Sequence, residues 1–174
     1  MEKDHSTFKL AMQPGLYVGL VAVMLSLVLW AIIPDLQLRN KLGYIVLAIV
    51  GFMFYMYTVK YRENVMGGEI TYGESFKFQL SMTVIYSIIS TIYAYLLFAV
   101  LDPGMIENIK EMAAEELYKQ NMAEEQIEAA IEMQAMFMTP EFMTVSTVFA
   151  TFFTGLLLAL IVSFFTKKEI TTFE

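Results

Sequence analysis

The chain has 174 residues, a formal net charge of −7 and no cysteine, and 57% of its residues are hydrophobic. Soluble domains contain roughly 45–50% apolar residues, and the mean hydropathy here is +0.58. The absence of cysteine excludes disulfides, thiolate nucleophiles and cysteine metal sites, and the single histidine, His5, cannot build a zinc site alone. The composition therefore indicates an integral membrane protein, and no cofactor is expected.

Four long apolar runs predict membrane-spanning helices, because about 18 or more apolar residues suffice to cross a bilayer. They are residues 14–34, 42–59, 78–101 and 142–165. A secretory signal is the alternative for the first run. That run exceeds the roughly 7–15 apolar residues of a signal, and no small-residue cleavage site follows it. We therefore predict an all-α fold, a single membrane domain built as a bundle of four transmembrane helices.

The segment 102–141 carries most of the negative charge, with ten acidic and two basic residues. Long connections usually carry structure of their own, and the spacing predicts two amphipathic extracytoplasmic helices. Asp102 is expected to cap the first, with Pro103 at its first helical position. Asn121 and Glu124 have the spacing of a capping box for the second. These helices either lie against the outer end of the bundle or on the lipid headgroups with their acidic faces in water, or form a docking surface for a basic partner or divalent cations.

The basic residues predict the orientation of the chain, because they concentrate on the cytoplasmic side of a membrane. One side of the predicted bundle carries Lys3, Lys9, Lys60, Arg62, Lys77, Lys167 and Lys168. The other side carries Arg39, Lys41, Lys110 and Lys119. We therefore predict that both termini and the 60–77 loop are cytoplasmic. No basic patch exists to neutralise phosphates, which argues against nucleic acid as a partner.

Four methionines near the start of the fourth span support two interpretations. They are Met133, Met136, Met138 and Met143. Thioethers bind Cu(I), which would suit a copper site. Methionine is also a flexible apolar filler, and no histidine or cysteine lies nearby in the sequence.

Small and hydroxyl residues recur every four positions in the spans, which favours close helix packing and hydrogen bonds between helices. The stripe in the fourth span is Thr147, Thr151, Gly155, Ala159 and Ser163, and the stripe in the third is Gln79, Thr83, Ser87 and Thr91. Gly15 and Gly19 form a GxxxG pair in the first span. A polar pathway along the third and fourth helices is the alternative. The spans contain no intramembrane acid, base or histidine, which argues against ion coupling and catalysis.

The stretch "GGEITYGESFK", residues 67–77, predicts how the third helix begins. Gly67 and Gly68 suit a turn that uses positive φ. Thr71 and Glu74 have capping-box spacing, so the helix should start directly after Thr71. Gly73, in the first turn, is expected to permit close approach by another backbone.

Charged residues beside this stretch form a candidate cytoplasmic contact site. They are Arg62, Glu63, Glu69 and Glu74. The alternative is a solvated charged surface, which is the usual role of such residues.

The order of several motifs resembles a family of four-span bacterial membrane proteins known as domain of unknown function 4199. The matching features are Tyr61 with Arg62, the block Gly67–Gly73, Asp102 with Pro103, and the acidic stretch Met122–Gln126. Asn121 stands where relatives can carry glycine before that stretch. The resemblance covers nearly the whole chain and implies the inner membrane of Gram-negative bacteria. It implies no activity.

These features together predict a non-enzymatic integral membrane protein in contact with the lipid bilayer. We expect a small accessory or scaffold subunit that packs with other membrane proteins or with further copies of itself. The alternative is a small oligomeric transporter or channel with a polar path along the third and fourth helices. An enzyme is the third candidate.

Overall fold

The computed structural model describes residues 2–119 and 124–168, with side chains from residue 7 onward. Within these ranges the chain forms six α-helices, and no strand longer than an isolated bridge is present. They are α1 (Glu2–Ile32), α2 (Leu36–Asn64), α3 (Tyr72–Leu96), α4 (Met105–Lys119), α5 (Glu124–Phe137) and α6 (Pro140–Thr166). A π-helical segment, Leu97–Leu101, directly follows α3. The all-α prediction is therefore confirmed.

Four of these helices are long and apolar enough to cross a membrane, as the sequence predicted. The candidate spans are Thr7–Ile32, Leu36–Asn64, Tyr72–Leu101 and Pro140–Thr166. In an apolar 18-residue stretch of each span, only 17% to 28% of the residues are buried inside the protein. Most apolar side chains therefore face outward, which is stable when the surrounding solvent is lipid.

Helices α2 and α6 begin before their apolar runs, and each begins at a polar capping group. Asp35 is the N-cap of α2, and its Oδ1 accepts a hydrogen bond from the Leu38 amide at 2.8 Å. Thr139 Oγ1 likewise accepts from the Phe142 amide at 3.3 Å, with Pro140 at the first position of α6. Both arrangements satisfy amides that a helix leaves unpaired at its N-terminus.

The predicted start of α4 is wrong by two residues. The helix begins at Met105, and Pro103 precedes it. Asp102 instead ends the π-helical segment, where its amide donates to the Leu97 carbonyl at 2.8 Å. The third span was predicted to reach residue 101, but the apolar run 97–101 reads as plain α-helix in the sequence, so its π-helical geometry was missed. The predicted cap Asn121 lies outside the described residues.

Two compact units divide the chain, one within residues 1–90 and 150–174 and the other within 91–149. The first unit contains α1, α2, most of α3 and the later part of α6. Its core includes Val18, Phe54, Phe78 and Met82, all with exposed fractions of 1% or less. The single membrane domain stays a prediction.

Close backbone approach aligns α1 with α3 in this first unit. A Cβ added to Gly15 would lie 2.9 Å from the Met82 carbonyl oxygen, and one added to Gly19 would lie 2.6 Å from Ile89 Cδ1. Gly15 meets Met82, and the later Gly19 meets the later Ile89, so α1 and α3 run parallel. The GxxxG pair thus contacts α3, which is the packing that small residues allow in membrane helices.

The second unit has a small apolar core of its own. Ala94, Phe98 and Ile106 are buried in it, and Met138 and Met143 pack against them. Ile127 is the buried residue of α5. Met133 and Met136 are 63% and 70% exposed. The four methionines therefore do not converge on a single core, which weakens the copper hypothesis.

Candidate functional site: the polar seam between α3 and α6

The loop between α2 and α3 is shaped by two glycines and one β-bridge. Gly67 and Gly68 have φ values of +76° and +93°, as the sequence predicted. Ile70 and Lys168 then form an antiparallel bridge, in which each amide donates to the carbonyl of the other residue at 3.0 and 2.9 Å. The bridge joins this loop to the residues directly after α6. The loop and that end of α6 therefore lie at one end of the unit.

Helix α3 begins with the predicted capping box. The Glu74 amide donates to Thr71 Oγ1 at 3.3 Å, and the Thr71 amide donates to Glu74 Oε2 at 3.0 Å. The Thr71 hydroxyl also donates to that carboxylate at 2.8 Å. These reciprocal bonds satisfy amides at the positive end of the helix and fix its first residue at Tyr72. Gly73 contributes no close contact, since an added Cβ would meet nothing within 4 Å, so the expected backbone approach there is wrong.

Polar side chains of α3 and α6 meet in a buried row that we call the polar seam, formed by Ser75, Gln79, Thr83, Ser163 and Thr166. All five have an exposed fraction of 0%. Polar groups are costly inside a bundle unless they bond with each other. The buried side chains of the seam therefore require matched hydrogen-bond partners, which the apolar core of this unit does not.

Hydrogen bonds in the seam run in one direction. Gln79 Nε2 donates to Ser75 Oγ and to Ser163 Oγ, both at 3.1 Å. The hydroxyl of Thr166 donates to the Val162 carbonyl at 3.0 Å, and the Ser75 and Thr166 hydroxyl oxygens lie 2.6 Å apart. Ser75 therefore donates to Thr166. Both protons of the amide nitrogen of Gln79 are satisfied by this chain of donors.

The other end of the Gln79 amide has no donor among the described residues. Its Oε1 is a buried acceptor, and reversing the amide would leave the NH₂ group in that position instead. One end of this side chain thus lacks a partner in either orientation. Buried polar atoms of this kind commonly bind an internal water.

The seam closes tightly one turn further along α3. A Cβ added to Gly155 would lie 2.5 Å from Thr83 Cγ2, closer than real side-chain contacts allow. Thr83 in turn donates its hydroxyl to the Gln79 carbonyl at 3.0 Å. Glycine at 155 thus lets α6 rest directly on Thr83.

The stripe predicted in the fourth span is distributed over both units. Gly155, Ala159 and Ser163 are buried in the first unit, while Thr147 and Thr151 are half-buried. Thr147 belongs to the second unit. The seam therefore uses the part of the stripe nearest the end of α6.

Arg62 connects α2 to the end of the seam. Its Nη1 donates to the Thr166 carbonyl at 2.9 Å, and its Nη2 lies 2.7 Å from Glu63 Oε1. A cation at the carboxyl end of a helix stabilises the unpaired carbonyls and the helix dipole. Two residues that are 104 positions apart in the chain thus meet here.

Two aromatic contacts support the same end of the unit. The rings of Tyr61 and Phe78 stack with centroids 4.1 Å apart and planes inclined by 2°. The Tyr72 hydroxyl donates to the Leu160 carbonyl at 3.1 Å. Both contacts were missed in the sequence, because an aromatic residue near a span end reads first as an interfacial anchor.

The four residues of the candidate contact site do not form one cluster of contacts. Arg62 binds Glu63 and α6, whereas Glu74 binds the cap of α3. Glu63 and Glu69 are exposed. Arg62 and Glu63 are therefore engaged with each other, and the exposed carboxylate of Glu69 is the remaining charge open to a partner.

The side chains that the structure describes form no cluster of potential carboxylate, histidine or cysteine metal ligands. Within residues 7–119 and 124–168, no group of three or more His, Cys, Asp or Glu side chains is placed to hold a metal ion. The seam offers hydroxyls and one amide. Its geometry can orient helices, and the unpartnered end of the Gln79 amide can form a further hydrogen bond.

The fold and seam define a helical protein with four candidate membrane spans. A family model described as "Protein of unknown function (DUF4199)" matches residues 13–168, and the chain belongs to this family. Searches of curated proteins and of solved structures found no match.

Proposed function

We propose that this protein is a non-enzymatic subunit of a bacterial cytoplasmic membrane, which acts as a small accessory or scaffold protein. It packs with other membrane proteins or with further copies of itself. Both termini and the α2–α3 loop face the cytoplasm, while α4 and α5 lie on the opposite side. The bias of basic residues supports this orientation. The bridge between Ile70 and Lys168 is consistent with it, because the loop and the end of α6 must share one side.

The closed seam is the observation that carries this proposal. Gly155 rests against Thr83, and the polar side chains of the seam bind one another. A transported molecule would have to separate these helices at Thr83. The buried side chains thus hold the helices together, and the outward-facing surfaces are available to bind partners.

Site-specific crosslinking in native membranes tests the scaffold role. A photoreactive azido-phenylalanine replaces Phe153, which is 61% exposed on α6, or Phe78, which is 1% exposed, as the matched control. We expect defined crosslinked species at Phe153 and none beyond the monomer at Phe78. Mass spectrometry of the species then identifies the partner. Monomer alone at Phe153, and also at exposed Phe149 and Phe164, would overturn the scaffold proposal.

The candidate contact site is tested by charge reversal. Glu69→Lys changes an exposed charge alone, whereas Glu63→Lys, Arg62→Glu and Glu74→Lys also break contacts inside the protein. If the site binds a partner, Glu69→Lys loses crosslinks while protein levels stay unchanged. Unchanged crosslinks in all four variants would remove the site from the proposal.

One observation favours the alternative, a small oligomeric transporter or channel. Gln79 presents a buried acceptor that no described donor reaches. Such an atom could bind a solute in a state where α3 and α6 separate. Solute flux into vesicles that contain purified protein, lost in Gln79→Leu and kept in Ser81→Ala, would support this alternative over the scaffold role.

A further inference from the structure

Helix α5 has three faces, and one of them is apolar yet uncovered. Its buried face includes Ile127, and the half-buried Ile131 lies four residues later. A second face is acidic and exposed, and it comprises Glu124, Glu125, Glu128 and Glu132. The third begins at the exposed Gln126 and is otherwise apolar, with Ala129, Met133, Met136 and Phe137, whose spacing places them on one side of a helix. We call this third side the apolar outer face.

The apolar outer face is exposed over three large side chains. Met133, Met136 and Phe137 are 63%, 70% and 51% exposed. Helix α4 offers a comparison within the same unit. Its exposed positions are polar except for Tyr118, with Glu107, Glu111 and Glu115 among them. A helix that faced water alone would be expected to resemble α4, so α5 requires a different neighbour.

The chain itself limits what that neighbour can be. Phe137 precedes Pro140, the first residue of α6, by three positions, which is at most about 11 Å of extended chain. The Phe137 ring also contacts Phe142 of α6, with centroids 5.2 Å apart. The carboxyl end of α5 is therefore held beside the start of a candidate membrane span.

The length of α6 places this start near the lipid headgroups. Its 27 residues extend about 40 Å, compared with about 30 Å for the hydrocarbon core of a bilayer. The excess, divided between the two ends, puts Pro140 about 5 Å outside the hydrocarbon. Amphipathic helices at this level insert their apolar side into the acyl chains.

We propose that the apolar outer face of α5 inserts into the lipid leaflet that α6 enters at Pro140. The ligand is the acyl chain region of that leaflet, bound by Met133, Met136 and Phe137. The acidic face of α5 then points to water. This inference rests on the membrane location in the proposed function, and it adds a contact that the four spans alone do not provide.

Tryptophan fluorescence in vesicles with brominated acyl chains tests the insertion. The protein has a single tryptophan, Trp30, in a candidate span. In the unmodified protein its quenching by brominated lipid reports membrane insertion of the bundle. In a Trp30→Phe background, Met133→Trp and Phe137→Trp place the probe on the apolar outer face. Glu132→Trp, one residue from Met133 and on the acidic face, is the matched control.

We expect brominated lipid to quench Met133→Trp and Phe137→Trp at least twofold more than Glu132→Trp, with blue-shifted emission at the two apolar positions. Equal quenching at all three positions would overturn the inference. Blue-shifted emission without quenching would also overturn it, because another protein or a second copy would then cover the face. If Trp30 itself is not quenched, the membrane location fails. If Trp30 is quenched and the α5 probes are not, only the inference fails.

Discussion

The polar seam buries its polar side chains, whereas the α4–α5 region exposes them. In the seam, Ser75, Gln79 and Ser163 are fully buried and hydrogen-bonded to one another. In α4 and α5, the glutamates are exposed and the buried residues are apolar, as at Ile106 and Ile127. Where lipid surrounds a helix, burying apolar groups provides little specificity, so polar contacts and close packing select the partner. Where water surrounds a helix, apolar burial suffices.

The largest effect should come from filling the closest contact of the seam. Gly155→Ala adds a methyl group 2.5 Å from Thr83 Cγ2, so the buried Thr83 side chain or the two helices must shift. We expect a loss of about 1–3 kcal/mol in the free energy of unfolding, typical of overpacking. Unfolding in mixed detergent, followed by circular dichroism, measures this.

Gly43→Ala is the matched control for that substitution. An added Cβ at this position of α2 meets nothing within 4 Å. Replacing a helical glycine by alanine in open space should stabilise the helix by up to about 1 kcal/mol. Opposite signs for the two variants are expected, and equal signs would mean that the close approach at Gly155 is absent.

Removing the central amide of the seam should have the next largest effect. Gln79→Leu removes the donors to Ser75 and Ser163, and we expect a loss of about 1–2 kcal/mol. Part of the cost is offset, because the unpartnered Oε1 is removed as well. Ser81→Ala removes a hydroxyl that donates to the Lys77 carbonyl within α3. A loss in Gln79→Leu no greater than in this control would show that the seam is not specific.

The spacing of residues predicted the capping box of α3 and the polar stripes of the spans, but not the contacts between helices. Thr71 and Glu74 revealed the capping box, because a cap depends on residues three positions apart. The stripes through Gln79 and Ser163 indicated two packing faces. Gln79 and Ser163 are 84 residues apart in the chain. Their contact depends on the position of α6 along α3, which a helical repeat does not determine. The Arg62 contact with Thr166 was missed for the same reason.

A smaller effect is expected from the cap of α3. This cap lies beside the seam, but its hydrogen bonds are exposed to solvent. Thr71→Ala removes the oxygen that accepts from the Glu74 amide, and we expect a loss of about 1 kcal/mol. Hydrogen exchange at the first amides of α3 should accelerate accordingly. Thr71→Ser keeps the oxygen and should restore protection. Slow exchange in Thr71→Ala would contradict the role of the cap.

The smallest effect should come from an exposed ion pair of α4. Lys110 Nζ lies 3.2 Å from Glu107 Oε2, and both side chains remain partly or largely exposed. Lys110→Ala should cost about 0.3–0.5 kcal/mol, because water and salt screen such pairs. Hydrogen exchange of α4 at low and high salt measures it, and the difference from the unmodified protein should shrink as salt rises. A cost as large as that of Gln79→Leu would break the comparison, since a polar contact in water would then stabilise the protein as much as one inside the seam.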